Sequence, residues 1–92
     1  MTLSLHRHFI VQVVKQPAVV RAAIFDAMLD LPDALRNPAK HSGLGLRKLH
    51  SSGIWEVRGG LGLRGLLQLT SDQAIFRFLG THDEVRKYLK NL

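Results

Sequence analysis

Three arginines and a histidine in the second half of the chain carry the chemistry that this sequence offers. Arg58, Arg64 and Arg77 each fall in or beside a segment with strand character, so a sheet would hold them rigidly. His82 follows the last of these segments, where a helix can begin. A guanidinium presents a planar fork of donors that suits phosphate. An imidazole exchanges protons near neutral pH. Cleaving an RNA backbone requires a base for the 2′-hydroxyl, charge stabilisation at phosphorus and an acid for the leaving oxygen. Arg58 and Arg64 are candidates to supply the charge and His82 the proton transfer. Tyr88 adds a phenol for proton transfer or a ring for stacking a base. Lys48 stands one residue from His50, so a strand places both on one face, where they can touch phosphate. Arg77, Arg47 and Lys87 extend the set of RNA contacts, and Glu56 is a candidate base.

Each of these residues has an ordinary explanation as well. Arg58 can pair with Glu56, two positions back on the same strand face. His82 can be a first-turn helix residue with no task, and Tyr88 can pack beside Leu89. Trp55 reads as a core anchor with Val57 on its face, and only if exposed as a stacking platform. His6 and His8 share a metal-like spacing, but no cysteine or nearby carboxylate completes a site, so neither metal nor cofactor is expected. Gly59, Gly60 and Gly62 lack the following helix that a phosphate-cradling loop requires, so a hairpin turn is the better reading.

The elements that must position these groups follow from periodicity. His8–Lys15 is rich in β-branched and aromatic residues and predicts a strand. Val20, Ile24, Ala27, Met28 and Leu31 recur at helical spacing and predict an amphipathic helix from Pro17 to Leu29, interrupted at Pro32. Asp33–Arg36 can form a second short helix, and the segment from Asn37 to Gly45 a loop. Strands are predicted at Leu46–His50, Gly53–Arg58, Leu63–Thr70 and Ala74–Leu79, with turns at Ser51–Gly53 and Gly59–Gly60. Thr81 and Glu84 form a capping box before a helix striped by Val85, Leu89 and Leu92. The pentapeptide GLGLR occurs at Gly43–Arg47 and again at Gly60–Arg64, with unlike flanks. The expected class is α+β: an N-terminal strand and one or two helices, then an antiparallel sheet of consecutive strands and a short C-terminal helix.

Composition narrows the partners. The 92 residues suit one domain, spanning 1–92. Thirteen Lys and Arg against seven Asp and Glu give a formal charge of +6, which favours a polyanion. Eight of those cations are Arg, the residue suited to bidentate phosphate contacts. The absence of cysteine excludes a disulfide scaffold, a thiolate metal site and a Cys nucleophile. No stretch has the signature of a signal peptide or a membrane span, so a cytoplasmic protein is expected.

Taken in order, Arg47–Leu49, Ile54–Arg58, Leu63–Arg64 and Phe76–Val85 resemble the RelE/ParE toxin superfamily, and its phage-derived, HigB-like branch in particular. The likeness covers the C-terminal half by motif and the whole chain by element order. It implies a toxin of a type II toxin–antitoxin pair, neutralised by a cognate antitoxin. Most RelE-like members cut mRNA on the ribosome without a metal; ParE-like relatives bind DNA gyrase instead. The family's strand arginine maps onto Arg64, the basic position of the preceding strand onto Arg58, and the C-terminal basic or His position onto His82. The usual C-terminal tyrosine has no clean match, because Arg86 stands near its place and Tyr88 lies two residues on. The resemblance thus implies a ribosome-dependent mRNA endoribonuclease. The alternatives are a non-enzymatic gyrase inhibitor and an inactive RNA-binding relative.

Overall fold

The computed structural model describes residues 1–50, 53–58 and 62–92. The predicted turns at Ser51–Ser52 and Gly59–Gly60 and the side chain of His50 lie outside the described residues. Strand β1 (Thr2–Leu5) leads into helix α1 (Arg7–Val14) and helix α2 (Ala18–Arg36). A 3-10 segment, Pro38–Leu44, precedes strands β2 (Arg47–His50), β3 (Ile54–Arg58), β4 (Leu63–Leu69) and β5 (Gln73–Thr81). Helix α3 (His82–Lys90) ends the chain's regular structure. The sheet order is β1-β5-β4-β3-β2. The four consecutive strands are antiparallel, and β1 joins them parallel to β5. This is the expected α+β arrangement.

The strand expected at His8–Lys15 is instead helix α1, and the N-terminal strand lies earlier, at Thr2–Leu5. The physical reason is visible in burial. Phe9 and Val13, one helical turn apart, are buried, while Val11 between them is exposed. The His6 Nδ1 accepts the His8 backbone N–H at 3.2 Å and caps the helix start. Gln12 then reaches across with its Oε1 to accept the Leu79 N–H at 2.8 Å, satisfying β5 beyond the point where β1 stops pairing. Helix α2 also runs straight through Pro32, where the sequence predicts an interruption. Leu31 and Ala34 are both buried on either side of that proline, and their packing outweighs its missing donor.

Two apolar clusters hold the sheet. On one face, Phe9 and Val13 of α1 and Val20, Ile24, Met28 and Leu31 of α2 pack on Val57, Leu67, Ala74, Phe76 and Leu79. On the other, Val85 of α3 packs on Ile54, Leu66 and Phe78, flanked by Leu49, Tyr88 and Leu89. A bulge makes this possible. Leu66 pairs with Phe78 and the next residue, Leu67, pairs with Phe76, so Arg77 is the extra residue. The bulge sends Phe76 and Phe78 to opposite faces although they are two residues apart.

Helix α3 starts on the capping box expected from sequence: Glu84 N–H donates to Thr81 Oγ1 at 3.3 Å and Thr81 N–H to Glu84 Oε1 at 2.8 Å. The Thr81 backbone N–H, then its hydroxyl, hold the Glu84 carboxyl below the usual glutamate range. Gly80 lets the helix fold back, because a Cβ there would lie 2.9 Å from a Phe78 ring carbon and 3.0 Å from Glu84 Cβ. No helix among the described residues is long and apolar enough to cross a membrane.

Candidate nucleic-acid interface

Helix α3 packs on β4 and β5. Beside it, the same sheet face carries a charged row that crosses three strands. Glu56 on β3 is directly opposite Arg47 on β2, and Arg64 on β4 lies diagonally from it. Glu56 is only 2% exposed. Its Oε1 accepts a hydrogen bond from Arg64 Nη1 at 2.6 Å, with Arg47 Nε 3.7 Å away. A buried carboxylate needs such partners, and here it also fixes where Arg64 points. Arg64 keeps 27% of its side chain exposed. Only one of its five N–H donors is used by Glu56, so others remain to meet a phosphate.

The pairing corrects the sequence expectation. Glu56 is bound by Arg64 and Arg47, whereas Arg58, which strand spacing places on its face, takes another course. Arg58 and Arg64 are direct cross-strand partners. Two like charges in that relation repel, and the structure separates them. Arg64 lies over Glu56, while the Arg58 stem runs across Gly45 towards α2 and the 3-10 segment.

Arg64 stands opposite Gly80, two residues before His82, so arginine and histidine belong to the same end of the sheet. His82 is the first residue of α3 and is exposed. Tyr88 is placed differently. Its half-buried ring stacks on Phe78, with centroids 4.4 Å apart and planes at 15°, and His8 meets the same Phe78 edge-on at 5.8 Å. Tyr88 is therefore part of the α3–sheet packing and also lines an open depression with Lys87 and Asn91. Arg77, the bulge residue, is half-buried and donates to Gln68 Oε1 at 3.3 Å. Lys48 is exposed but lies opposite Trp55, on the other face from Arg47 and Glu56. The set read from sequence thus divides: Arg47 and Arg64 meet at Glu56, His82 stands at the end of the sheet that carries Arg64, Lys48 lies on the opposite face, and Arg58, Arg77, Tyr88 and Lys87 each have surroundings of their own.

Trp55 is half-buried against the main cluster, as a core anchor should be, and forms one wall of a cleft shared with Leu35, Leu46 and His41. Next to it, Asp33 at the end of α2 ties down the 3-10 segment. Its carboxylate meets His41 Nε2 at 2.5 Å, accepts from Asn37 Nδ2 at 3.3 Å and has Lys40 Nζ at 3.6 Å. The His41 hydrogen bond is the main reason that the Asp33 carboxyl sits below its ordinary value. Sequence reasoning reads this segment as a plain loop, because the Asp33–His41 spacing of eight residues carries no local signal of the pairing. Among the described residues no three His, Cys, Asp or Glu side chains group as metal ligands would.

No family model and no curated protein matches the chain. Solved structures do. The toxin–antitoxin complex RelB–RelE of Methanococcus jannaschii contains a chain that superposes with a TM-score of 0.65 at 16% identity, over 92% of this chain and 96% of that one. The isolated RelE toxin of E. coli matches with a TM-score of 0.60 at 12% identity, over 99% and 98% of the two chains. YafQ of E. coli matches at 20% identity with a TM-score of 0.57, over 90% and 94%. Identities this low speak for backbone architecture alone. In fold, the chain is RelE-like.

Proposed function

We propose that this protein is the toxin of a type II toxin–antitoxin pair and acts as a ribosome-dependent mRNA endoribonuclease. The observation that carries the reading is the buried Glu56 carboxylate holding Arg64 at 2.6 Å on a sheet face, at the end where α3 presents His82. Arg64 binds the scissile phosphate and offsets the charge that grows on its oxygens as the 2′-oxygen attacks. The 2′-hydroxyl gives up its proton to solvent water as it attacks, the bond from phosphorus to the 5′-oxygen breaks, and a cyclic phosphate is left. His82 transfers a proton, giving it to the departing oxygen. Glu56 is a positioning residue: buried beneath two arginines, it orients Arg64. Arg47 widens the positive surface, and Lys48, Arg77 and Lys87 make outer contacts to RNA. Tyr88 serves through its ring and its packing on Phe78. The HigB-like assignment rests on the ordered strings Arg47–Leu49, Ile54–Arg58, Leu63–Arg64 and Phe76–Val85 and belongs to this proposal, as does a cytoplasmic site of action.

A partner of antitoxin type also fits the helical side of the molecule. Leu5, Ile10, Val14 and Phe25 line an apolar groove between α1 and α2, and all four are exposed. An amphipathic antitoxin segment would cover them, with acidic residues suited to a chain of charge +6.

The test is induced expression followed by primer extension on cellular mRNA. Discrete new 5′ ends within coding sequence are expected. Growth arrest with intact mRNA and blocked DNA supercoiling would replace this reading with the gyrase-inhibitor one. The absence of both growth arrest and new 5′ ends would overturn it outright.

A further inference from the structure

We propose that Arg58 binds a second phosphate of the RNA, separate from the one at Arg64, in a cleft between α2 and the 3-10 segment. The proposal rests on the RNA-binding reading above and assigns it a second subsite. Arg58 and Arg64 face each other across β3 and β4, with Cβ atoms about 5 Å apart in such a pair. Their side chains then part. One lies over Glu56; the other crosses Gly45. Two forks carried apart in this way do not converge on one phosphate group.

Gly45 makes the second path. Its backbone has φ +62°, and a Cβ built on it would lie 2.8 Å from Arg58 Cγ, Cδ and Nε. The glycine is therefore a bed on which the aliphatic stem rests while the guanidinium reaches the cleft. That cleft has a volume of about 350 Å³ and is lined by Arg58, Lys40, His41, Asp30 and Leu44 among others. Lys40 is 73% exposed, and its 3.6 Å pairing with Asp33 is too solvated to hold its ammonium in place. It can turn to a phosphate beside Arg58. His41 is engaged by Asp33 and sets the position of the segment that carries Lys40. Asp30 is the one carboxylate among the described residues that line the cleft, and it opposes an anion there. That opposition gives the assignment a sign that can be measured.

The experiment measures the affinity of a short, labelled single-stranded RNA of mixed sequence by fluorescence anisotropy across a salt series. Each phosphate that the protein no longer neutralises should reduce the slope of log K against log salt by about 0.7. Arg58→Gln is compared with Glu56→Gln/Arg64→Gln, in which no buried carboxylate is left unpaired, and with all three changes together. Melting curves confirm that each variant is folded. Two phosphates predict a reduction of about 0.7 from each and about 1.4 from the combination. A combination no worse than either alone would mean one shared phosphate and overturn the proposal. An unchanged slope for Arg58→Gln beside a reduced one for the Arg64 variant would overturn it too, leaving the proposed function standing. Absence of salt-dependent RNA binding by the parent would overturn the subsite, and primer extension would still decide the proposed function. Asp30→Asn should tighten binding. Weaker binding would show that the carboxylate accepts from a base edge, and the cleft would not be a phosphate subsite.

Discussion

Removing Arg64 should destabilise this protein as well as disarm it, and the two effects can be separated. The Glu56 carboxylate is buried and its closest partner is Arg64 Nη1 at 2.6 Å. Arg64→Ala leaves that charge with Arg47, 3.7 Å away and itself largely exposed. Stranding one half of a buried ion pair costs about 3–5 kcal/mol, and the remaining arginine places this case near the lower figure. In a domain of this size each kcal/mol moves the melting temperature by about 4–8 °C, so a fall of about 12–24 °C follows. That is a large part of a total stability of about 5–15 kcal/mol. Glu56→Gln/Arg64→Gln removes both charges and should recover at least half of the stability. Its cleavage rate on programmed ribosomes should nevertheless stay down about a hundredfold, because the Arg64 cation no longer meets the transition state. Circular dichroism melts and a single-turnover cleavage assay measure the two quantities independently. Arg64→Ala melting within about 4 °C of the parent would refute the structural half of the argument. A paired variant cleaving at the parental rate would refute the catalytic half.

Two further outcomes follow from the start of α3. His82→Gln keeps the capping box of Thr81 and Glu84, so the helix should persist while cleavage falls across about pH 6–8; parental rates over that range would make His82 structural. The Glu84 carboxyl is held below its ordinary value of 4.5, so its contribution to stability is complete above that pH and is lost as pH falls through the lower folded value. Glu84→Gln should therefore flatten the acid limb of the melting curve relative to the parent, and identical acid limbs would show that the cap does not supply this dependence.

Features fixed by neighbours in the chain are legible in the sequence, and features fixed by register are not. The capping box at Thr81 and Glu84 spans three residues, and the stripe Val20, Ile24, Met28, Leu31 spans three turns of one helix; both appear as read. Helix α1 escapes a sequence reading because Phe9, Val11 and Val13 satisfy strand composition. What argues against a strand there, an exposed Val11, exists only once β1 and β5 have taken the sheet edge. The same holds at the candidate site. Strand spacing alone pairs Glu56 with Arg58, since they are two residues apart on one strand. The register of β3 on β4 brings Arg64 diagonally to Glu56 instead and sets Arg58 against Arg64. Gly45, distant in sequence from both strands' pairing, then decides where Arg58 goes. An arginine's role here is set less by its own strand than by which carboxylate the neighbouring strand buries beside it. A backbone shared with other chains at 12–20% identity fixes the strands and leaves such pairings to each sequence. A buried acid can anchor one arginine, and a second arginine facing it across the strands then takes whatever path the local backbone opens.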